Sequence, residues 1–544
     1  PPTVIAVLLL DAVALGAIAC ALGLIIGEEL SIHLFHSNPA FLSLAFAVGS
    51  ERVVSWQSVA IAAGGGMTAA IVAVLSPLRD ILSRDPLAAV NPREGSGSGR
   101  TGRHRALAGA ALLVAATALL LIAPEQSIAG MVLLTGALLL ELPIVLTATL
   151  ALVKRIASLV VSPVGHVATM ELSASRSRAV AIAATGAVAV FGSVAIQGAH
   201  SDLLTGLEDA GRDTNAITDV WVAPTGSYNL LDTSPFPPTR KAQLERLPGV
   251  RAVRLYRSGL LDWGERRLLA IAPPRESTPL LPTDQILEGN PTQATQRVRE
   301  GGWLVLSRAV AEERHLHIGQ SVTLPTPIPT SFRVAALSTN IGWAPGSIVM
   351  NASDYARAWG SSDATAYAVL LGPGASPTRV VGEIQNTLGP SSGLTAQTAT
   401  QHSAEQRALS REALARLTQI ATLIPIVAVL AMAAAMGAMV WQRRPRLAKL
   451  KLEGLPRAEL WWTILLESLL LLGVGCLTGA LFGLYGQQLA DRALAHVINF
   501  PVVYSVTVPA ALTSVSLVTA SALAILAIPG WFASSVPASL TLQD

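Results

Sequence analysis

The sequence predicts a polytopic α-helical membrane protein that carries one α+β domain outside the bilayer. Three observations lead there. Of the 544 residues, 51% are hydrophobic and 13% charged, with a mean hydropathy of +0.52, whereas soluble domains are about a quarter charged. Apolar runs of bilayer length recur along the chain, and one long polar interval divides them into two groups.

A spanning helix needs roughly 20 mainly apolar residues. Eight runs qualify: 4–26, 53–75, 106–123, 129–152, 179–199, 417–440, 461–485 and 508–530. If the first run leaves the cytoplasm, Arg79, Arg84, Arg93, Arg100, Arg103 and Arg105 fall inside, as do Lys154, Arg155, Arg176, Arg178 and the segment Arg443, Arg444, Arg446, Lys449, Lys451, Arg457. All strongly basic short loops then share one side, as the positive-inside rule requires. Glu28, Glu29 and the loops 124–128 and 486–507 fall on the other, and Trp56, Trp441, Trp461, Trp462 and Trp531 lie near run ends as interfacial aromatics. The net charge of +3 is thereby explained without a nucleic-acid partner. Cys20 and Cys476 both lie inside apolar runs, so neither a disulfide framework nor a zinc site is indicated.

Between the fifth and sixth runs, residues 200–416 are rich in Pro, Gly, Thr and charge and form one extracytoplasmic α+β domain, in one or two lobes. A helix at Arg240–Leu247 ends at Pro248-Gly249; Val250–Tyr256, Trp303–Leu306, Ser321–Leu324 and Phe332–Leu337 read as strands, and Arg308–Glu313 as a helix. Ser403–Leu417 has helix-forming composition and can continue unbroken into the sixth membrane helix, a rigid lever. The chain thus divides into 1–92 (two helices and a cytoplasmic tail), a Ser/Gly linker at 93–105, two connecting helices at 106–153, an elbow and helix at 160–199, the domain at 200–416, and three helices at 417–544 with a basic cytoplasmic segment at 443–459.

Three acids stand inside apolar runs. Glu141 lies mid-run, two before Pro143, where a charge costs about 2.5–3.5 kcal/mol; it reads either as a polar hinge at a kinked helix or as an acid satisfied by a neighbouring helix. Asp11 and Glu467 lie nearer the cytoplasmic end, within snorkelling reach. Gly23, Gly27, Gly475, Gly479 and Gly483 permit close helix packing, within the chain or at a dimer seam. Pro425 is expected to kink the sixth helix.

A single offset of 456 places Asp11 on Glu467, Cys20 on Cys476, Gly23 on Gly479 and Gly27 on Gly483. Each copy continues with an outer loop, a helix and a proline-led tail, Pro77–Pro92 and Pro529–Ala538. Duplication explains this, and predicts one further helix and outer domain N-terminal to Pro1 in the natural protein.

The order helix, outer domain, helix, basic segment, acid-and-glycine helix, outer loop, helix and proline-led tail resembles the FtsX-like, MacB-type permeases of bacterial ABC transporters, in their larger ten-helix form. The resemblance covers 160–544 and, as a truncated copy, 1–92. It implies that the basic segment is a cytoplasmic coupling helix, with Arg444, Arg446, Leu447, Leu450, Lys451, Leu452 and Gly454 on the surface that meets the ATPase. Arg446, after Pro445, stands where many members carry a glutamate. Met170–Arg178 is similar to the family's amphipathic elbow, and Leu304–Ser307, Ala311 and Ile318-Gly319 to the MacB-type periplasmic core.

The chain has no G-x-x-x-x-G-K-[ST] loop: Gly97–Gly102 continues into Arg103-His104, without the lysine and hydroxyl that hold phosphate and magnesium. The resemblance therefore implies a separate cytoplasmic ABC ATPase dimer that binds ATP and magnesium, with no cofactor and no enzymatic activity in this chain. His315 and His317 could both face one way but lack further ligands. The implied function is a permease subunit in the bacterial plasma membrane, contacting lipid and an extracytoplasmic protein or lipoprotein. It would couple ATP hydrolysis to export or extraction of a lipid, lipoprotein, peptide or drug. A signalling or scaffold protein controlling a cell-wall enzyme, or sensing a peptide, is the alternative within the same family.

Overall fold

The computed structural model describes residues 2–34, single positions between 56 and 67, 98–160, most of 169–224, 233–442, 454 and 456–535. Residues Pro1–Gly102 and Arg103–Asp544 form two compact units. In the first, helix α1 (Pro2–Leu34) carries Asp11, Gly23 and Gly27 on exposed faces, and the Cys20 thiol faces the Ala63 carbonyl at 3.7 Å. Most of the run 53–75 and all of the tail 77–92 lie outside the described residues.

The expected linker 93–105 is corrected at its end: helix α2 (Ser98–Ile122) already begins at Ser98. Once the apolar run has nucleated a helix, each added residue gains a backbone bond, and this outweighs the Ser/Gly composition. Helix α3 (Ser127–Val160) follows and contains Pro143 without interruption.

Helix α4 (Arg176–Asn215) runs 40 residues and corrects the expected domain start at 200. At 1.5 Å per residue it spans about 60 Å, twice the hydrocarbon thickness. Helix α10 (Ala399–Gln442) runs 44 residues and contains Pro425 without a break, so the lever expected from Ser403 onward is present and begins four residues earlier. Its start is a capping box: Thr398 Oγ1 accepts from Gln401 N–H at 3.1 Å, and Gln401 Oε1 accepts from Thr398 N–H at 3.0 Å. Helix α11 (Arg457–Ala493) continues through a π-turn at Leu494–Ile498, eight residues beyond the expected end at 485, and helix α12 (Val508–Ser535) closes the described chain.

Among the described residues six helices have spans long and apolar enough to cross a membrane: Leu9–Glu29, Arg103–Ile122, Ala129–Ile156, Ala179–Asn215, Arg457–His496 and Val508–Phe532. Within α10 the stretch Thr422–Ala438 is apolar but shorter. The protein is therefore a polytopic membrane protein with an α+β domain. In its second unit, α4 and α11 lie at the centre. One cluster packs them with α3, α10 and α12 through Ile182, Val190, Met432, Met436, Leu471, Cys476, Val518 and Leu526. The other packs them with α2 and α3 through Leu120, Leu134, Leu138, Leu142, Ala187 and Phe191. The Cys476 thiol faces Thr519 of α12. Residues 63 and 519 differ by the same 456 as the two cysteines, so the repeat is a repeat of contacts as well as of residues.

The domain between α4 and α10 holds β1 (Val220–Pro224), α5 (Lys241–Leu244), β2 (Val250–Trp263), β3 (Arg266–Ala272), β4 (Ile286–Glu288), α6 (Pro291–Glu300), β5 (Trp303–Ser307), α7 (Arg308–Glu313), β6 (Ser321–Leu324), β7 (Thr330–Ser338), β8 (Ser347–Val349), α8 (Ala352–Trp359), β9 (Ala366–Leu371), α9 (Pro377–Leu388) and β10 (Leu394–Thr398). The strand order is β10-β1-β9-β2-β3-β8-β5-β7-β4, with β6 on β7. β2 is long enough to pair with β9 through its first half and β3 through its second. It thereby joins two lobes, one cored by Val220, Val253, Tyr367, Val369 and Ile384, the other by Leu268, Leu304, Leu306, Phe332 and Ile348.

The lobes are pinned across β2 by polar groups. Arg257 is buried and donates to the carbonyls of Asp363 (2.8 Å), Ser362 (3.0 Å) and Ala352 (3.3 Å), and burial pulls its guanidinium below the usual arginine range. Tyr355 stacks on Trp359 and donates to the Ser258 carbonyl at 3.2 Å. Burial pushes its phenol up to about 12, partly offset by Arg257. The folded protein keeps this proton where the unfolded chain loses it, near pH 10. The Tyr355 contribution is therefore full below pH 10 and is lost as pH rises toward 12. In an alkaline tyrosinate absorbance titration, Tyr355→Phe is expected to remove amplitude from the late component near pH 12 and to leave the early component unchanged.

Candidate functional site

The site is the junction at which three helices meet the α+β domain. Lipid gives helices no hydrophobic drive toward one another, so close approach depends on small residues. Along α11, a side chain at Gly475 or Gly479 would overlap the Ala183 or Ala187 backbone of α4, and one at Gly483 would lie 2.8 Å from Val194 Cβ. These three glycines thus pack within the chain. At Gly23 and Gly27 no described atom lies within 4 Å of a side chain built there, and most of the run 53–75 that could face them lies outside the described residues.

Past their apolar parts α4 and α10 remain paired as a stalk. Asn215 Nδ2 donates to Gln406 Oε1 (2.7 Å) and Ser403 Oγ (3.2 Å), and Arg411 pairs with Glu208 at 3.1 Å. The chain leaves α4 into β1 and returns through β10 into α10, and these strands pair antiparallel, Val220 opposite Thr398. The stalk and the first lobe are therefore continuous in hydrogen bonding.

The end of α11 forms the third attachment. Asn499, buried and in the left-handed region (φ 54°), accepts from the Asn340 N–H at its carbonyl (2.9 Å) and from Arg308 Nε at Oδ1 (3.0 Å). Arg308 Nη2 also donates to the Ala495 carbonyl at 3.3 Å. A guanidinium at a helix C-terminus satisfies carbonyls that lack intrahelical partners and opposes the negative end of the dipole. Arg308 opens α7 directly after β5, so this contact reaches the second lobe. Beneath it, Asp202 of α4 accepts from Gln487 Nε2 of α11 (2.6 Å) and from the Ser505 hydroxyl, and its carbonyl accepts from Val503 N–H at 3.3 Å.

Of the expected coupling residues, Arg444, Arg446, Leu447, Leu450, Lys451 and Leu452 lie outside the described residues. Gly454 is exposed with φ +100°, a conformation that glycine alone adopts readily. Glu467 is buried on α11. Glu141 is half-buried against α2, its carboxylate over Gly109, where a side chain would collide with it at 2.6 Å. The structure thus brings Gly475, Gly479, Gly483 and Glu467 into one helix core and leaves Asp11 exposed on α1.

Arg308, Asn499, Asp202, Gln487 and Asp491 were not singled out by sequence. The available signal was Gln487 and Asp491 at i, i+4, polar residues on one helical face directly beyond an apolar run. Gly389-Pro390-Ser391-Ser392-Gly393 has the spacing of a G-x-S-x-G elbow. It forms a turn from helix α9 into strand β10, the reverse of the strand-to-helix elbow that activates a serine. Among the described residues no group of three His, Cys, Asp or Glu is placed to hold a metal ion.

Two substitutions test this geometry. Gly479→Val is expected to lower stability by about 1–3 kcal/mol by overpacking α4, while Gly473→Val, which meets nothing within 4 Å, stays within about 0.5 kcal/mol; thermal unfolding in detergent reads both. Arg308→Ala is expected to cost the α11 terminus about 1.5 kcal/mol, read as roughly tenfold faster amide exchange at 494–499.

Two family models match the chain. The FtsX-like permease C-terminal model covers residues 419–538, from the apolar part of α10 through α12, and the MacB-like periplasmic core domain model covers 179–387, taking in α4 with most of the α+β domain. No curated protein matches. With both matches in the order that the helices and domain require, the chain belongs to the FtsX/MacB-type family of ABC transporter permeases.

Proposed function

We propose that this protein is the membrane subunit that converts ATP-driven closure of a separate cytoplasmic ABC ATPase dimer into movement of its α+β domain outside the bacterial plasma membrane. In this reading eight helices of the chain span the bilayer, segment 443–459 meets the ATPase, and magnesium and ATP are held by the partner. The observation that carries the reading is the continuity of α11. It begins at Arg457, inside the basic segment 443–459, and its far end, continued through the turn at Leu494–Ile498, is gripped by Arg308 and Asn340 of the domain. A push at one end of a helix with no break over 37 residues is delivered to the other. The stalk of α4 and α10 gives the domain a second support about which that push becomes a tilt.

The cargo fits a hydrophobic or amphiphilic molecule, a lipid, lipoprotein, peptide or drug, taken from the outer leaflet. The described faces of α4 and α11 toward their neighbours are filled mainly by Ala, Gly, Val and Leu, and the buried polar residues among them, Ser193, Thr463, Glu467, Ser468 and Thr478, are few for a path that a sugar or an ion would follow. The second reading, a regulator whose domain moves to control a wall enzyme or to sense a peptide, shares every mechanical step and differs only in cargo.

The test is reconstitution of the full chain with the ATPase that copurifies with it. Gly454→Pro, which forces a negative φ on a residue at +100°, is expected to abolish stimulation of ATP hydrolysis while leaving the domain folded. Unchanged stimulation, or failure of any ATPase to copurify, rejects the coupling reading. ATP-dependent loss of a fluorescent lipid or lipopeptide from vesicles then separates transport from regulation.

A further inference from the structure

At the base of the domain three acceptor oxygens are buried with no donor. Asp491 Oδ1 and Oδ2 and Gln487 Oε1 lack any hydrogen-bond partner, and both residues are fully buried. They stand one turn apart on α11, and the carboxyl group of Asp491 faces that of Asp202 on α4, the group that acts on it electrostatically. Asp202 is itself already served: Gln487 Nε2 donates to Oδ2 at 2.6 Å, and the Ser505 hydroxyl donates to Oδ1. The same Gln487 nitrogen reaches the Ser505 carbonyl (3.0 Å) and Thr507 Oγ1 (3.1 Å), which fixes the amide with its oxygen toward the unsatisfied side.

Two carboxylates in contact away from water, beside an unpaired amide oxygen, require a positive charge between them. Asp202 from α4 acts on Asp491, and Tyr504 from the loop before α12 has Asp491, Arg492 and the domain's Arg308 about it. Arg492 is exposed, and Arg308 is engaged with Asn499 and Ala495. Among the described residues neither Asp202 nor Asp491 forms an ion pair. Room for the cluster is built in at Gly198, where any side chain would strike the Gln487 amide, and at Gly206, where it would strike the Pro501 carbonyl.

We propose that Asp202, Gln487 and Asp491 bind one monovalent cation, a proton or an alkali ion, that ties α4 to α11 where they meet the domain. The donor set disfavours a divalent ion. Calcium takes six to eight oxygens, whereas only three here are unengaged. With the cation bound, the Asp202–Asp491 contact is attractive and α11 is held against the stalk. With it absent, two like charges face each other in a dry site and the end of α11 is pushed away. The site is independent of the ATPase coupling proposed above, since its occupancy is a property of the isolated chain.

The experiment uses the full chain in lipid nanodiscs, with aspartate carbons labelled with carbon-13 at the carboxyl so that Glu141 and Glu467 do not contribute. In sodium-free choline buffer at neutral pH, a proton occupant gives a shifted protonated-carboxyl infrared band, unaffected by added sodium and lost in Asp491→Asn. An alkali occupant gives saturable binding of radioactive sodium at one per chain, displaced by acid and lost in Asp491→Asn and in Asp202→Asn. Both wild-type measurements stand if a variant fails to fold. A wild-type protein with neither a protonated aspartate band nor saturable sodium binding overturns the proposal.

Discussion

The structure depends on how closely α4 and α11 approach each other. In lipid the separated helices would lose nothing by solvation, so their association rests on van der Waals contact between backbones. Gly475 on Ala183 and Gly479 on Ala187 make that contact, and the Gly483 and Gly486 positions seat Val194 and Phe191. Within this unit α10 and α12 pack on the pair in one cluster and α2 in the other, with α3 contributing to both. A wider separation would also part Asp202 from Gln487, because their 2.6 Å hydrogen bond crosses the same seam.

The domain is thus held at two kinds of attachment. The stalk holds it through covalent continuity, with β1 and β10 paired across the entry and exit strands. α11 holds it through side chains, Arg308 and Asn340 on Asn499. Covalent attachments fix position but permit rotation about the stalk; the third point, reaching the other lobe, sets the angle. Since β2 is shared by both lobes and Arg257 and Tyr355 tie it to the segments around it, a displacement at Arg308 is carried into the sheet and not absorbed at the lobe boundary.

Legibility from sequence followed the strength of the local signal. Six of the eight apolar runs, the helix at 308–313 and the strands at 303–306 and 321–324 were readable because each carries its own local signal. Helix ends were read too short at 199 and 485, because a hydropathy boundary marks where lipid ends, whereas a helix ends where its backbone bonds find no continuation. Asn215 and Asn499 terminate α4 and α11 only after further turns, supported by α10 in one case and by Arg308 in the other. The glycines at 475, 479 and 483 were legible as packing residues, but which helix they face was not. The identical spacing at 23 and 27 meets no described neighbour, so the motif states a capacity that only the partner realises.

The distribution of polar groups within α11 follows from the same constraint. Its middle is filled mainly by Leu, Val, Gly, Ala and Cys, with the Thr478 hydroxyl turned back onto the Val474 carbonyl, while polar residues stand toward both ends, Glu459, Glu467 and Ser468 at one and Gln487, Gln488 and Asp491 at the one that meets the domain. A polar cross-link in mid-membrane would fix the two helices but give them no way to respond to the water on either side. Placed at the base of the domain, the same cross-link remains buried while its energy depends on the ions and protons of the compartment that the loop 499–507 borders. The helix pair is therefore fixed by dispersion along its length and made adjustable at one end, where the domain is attached.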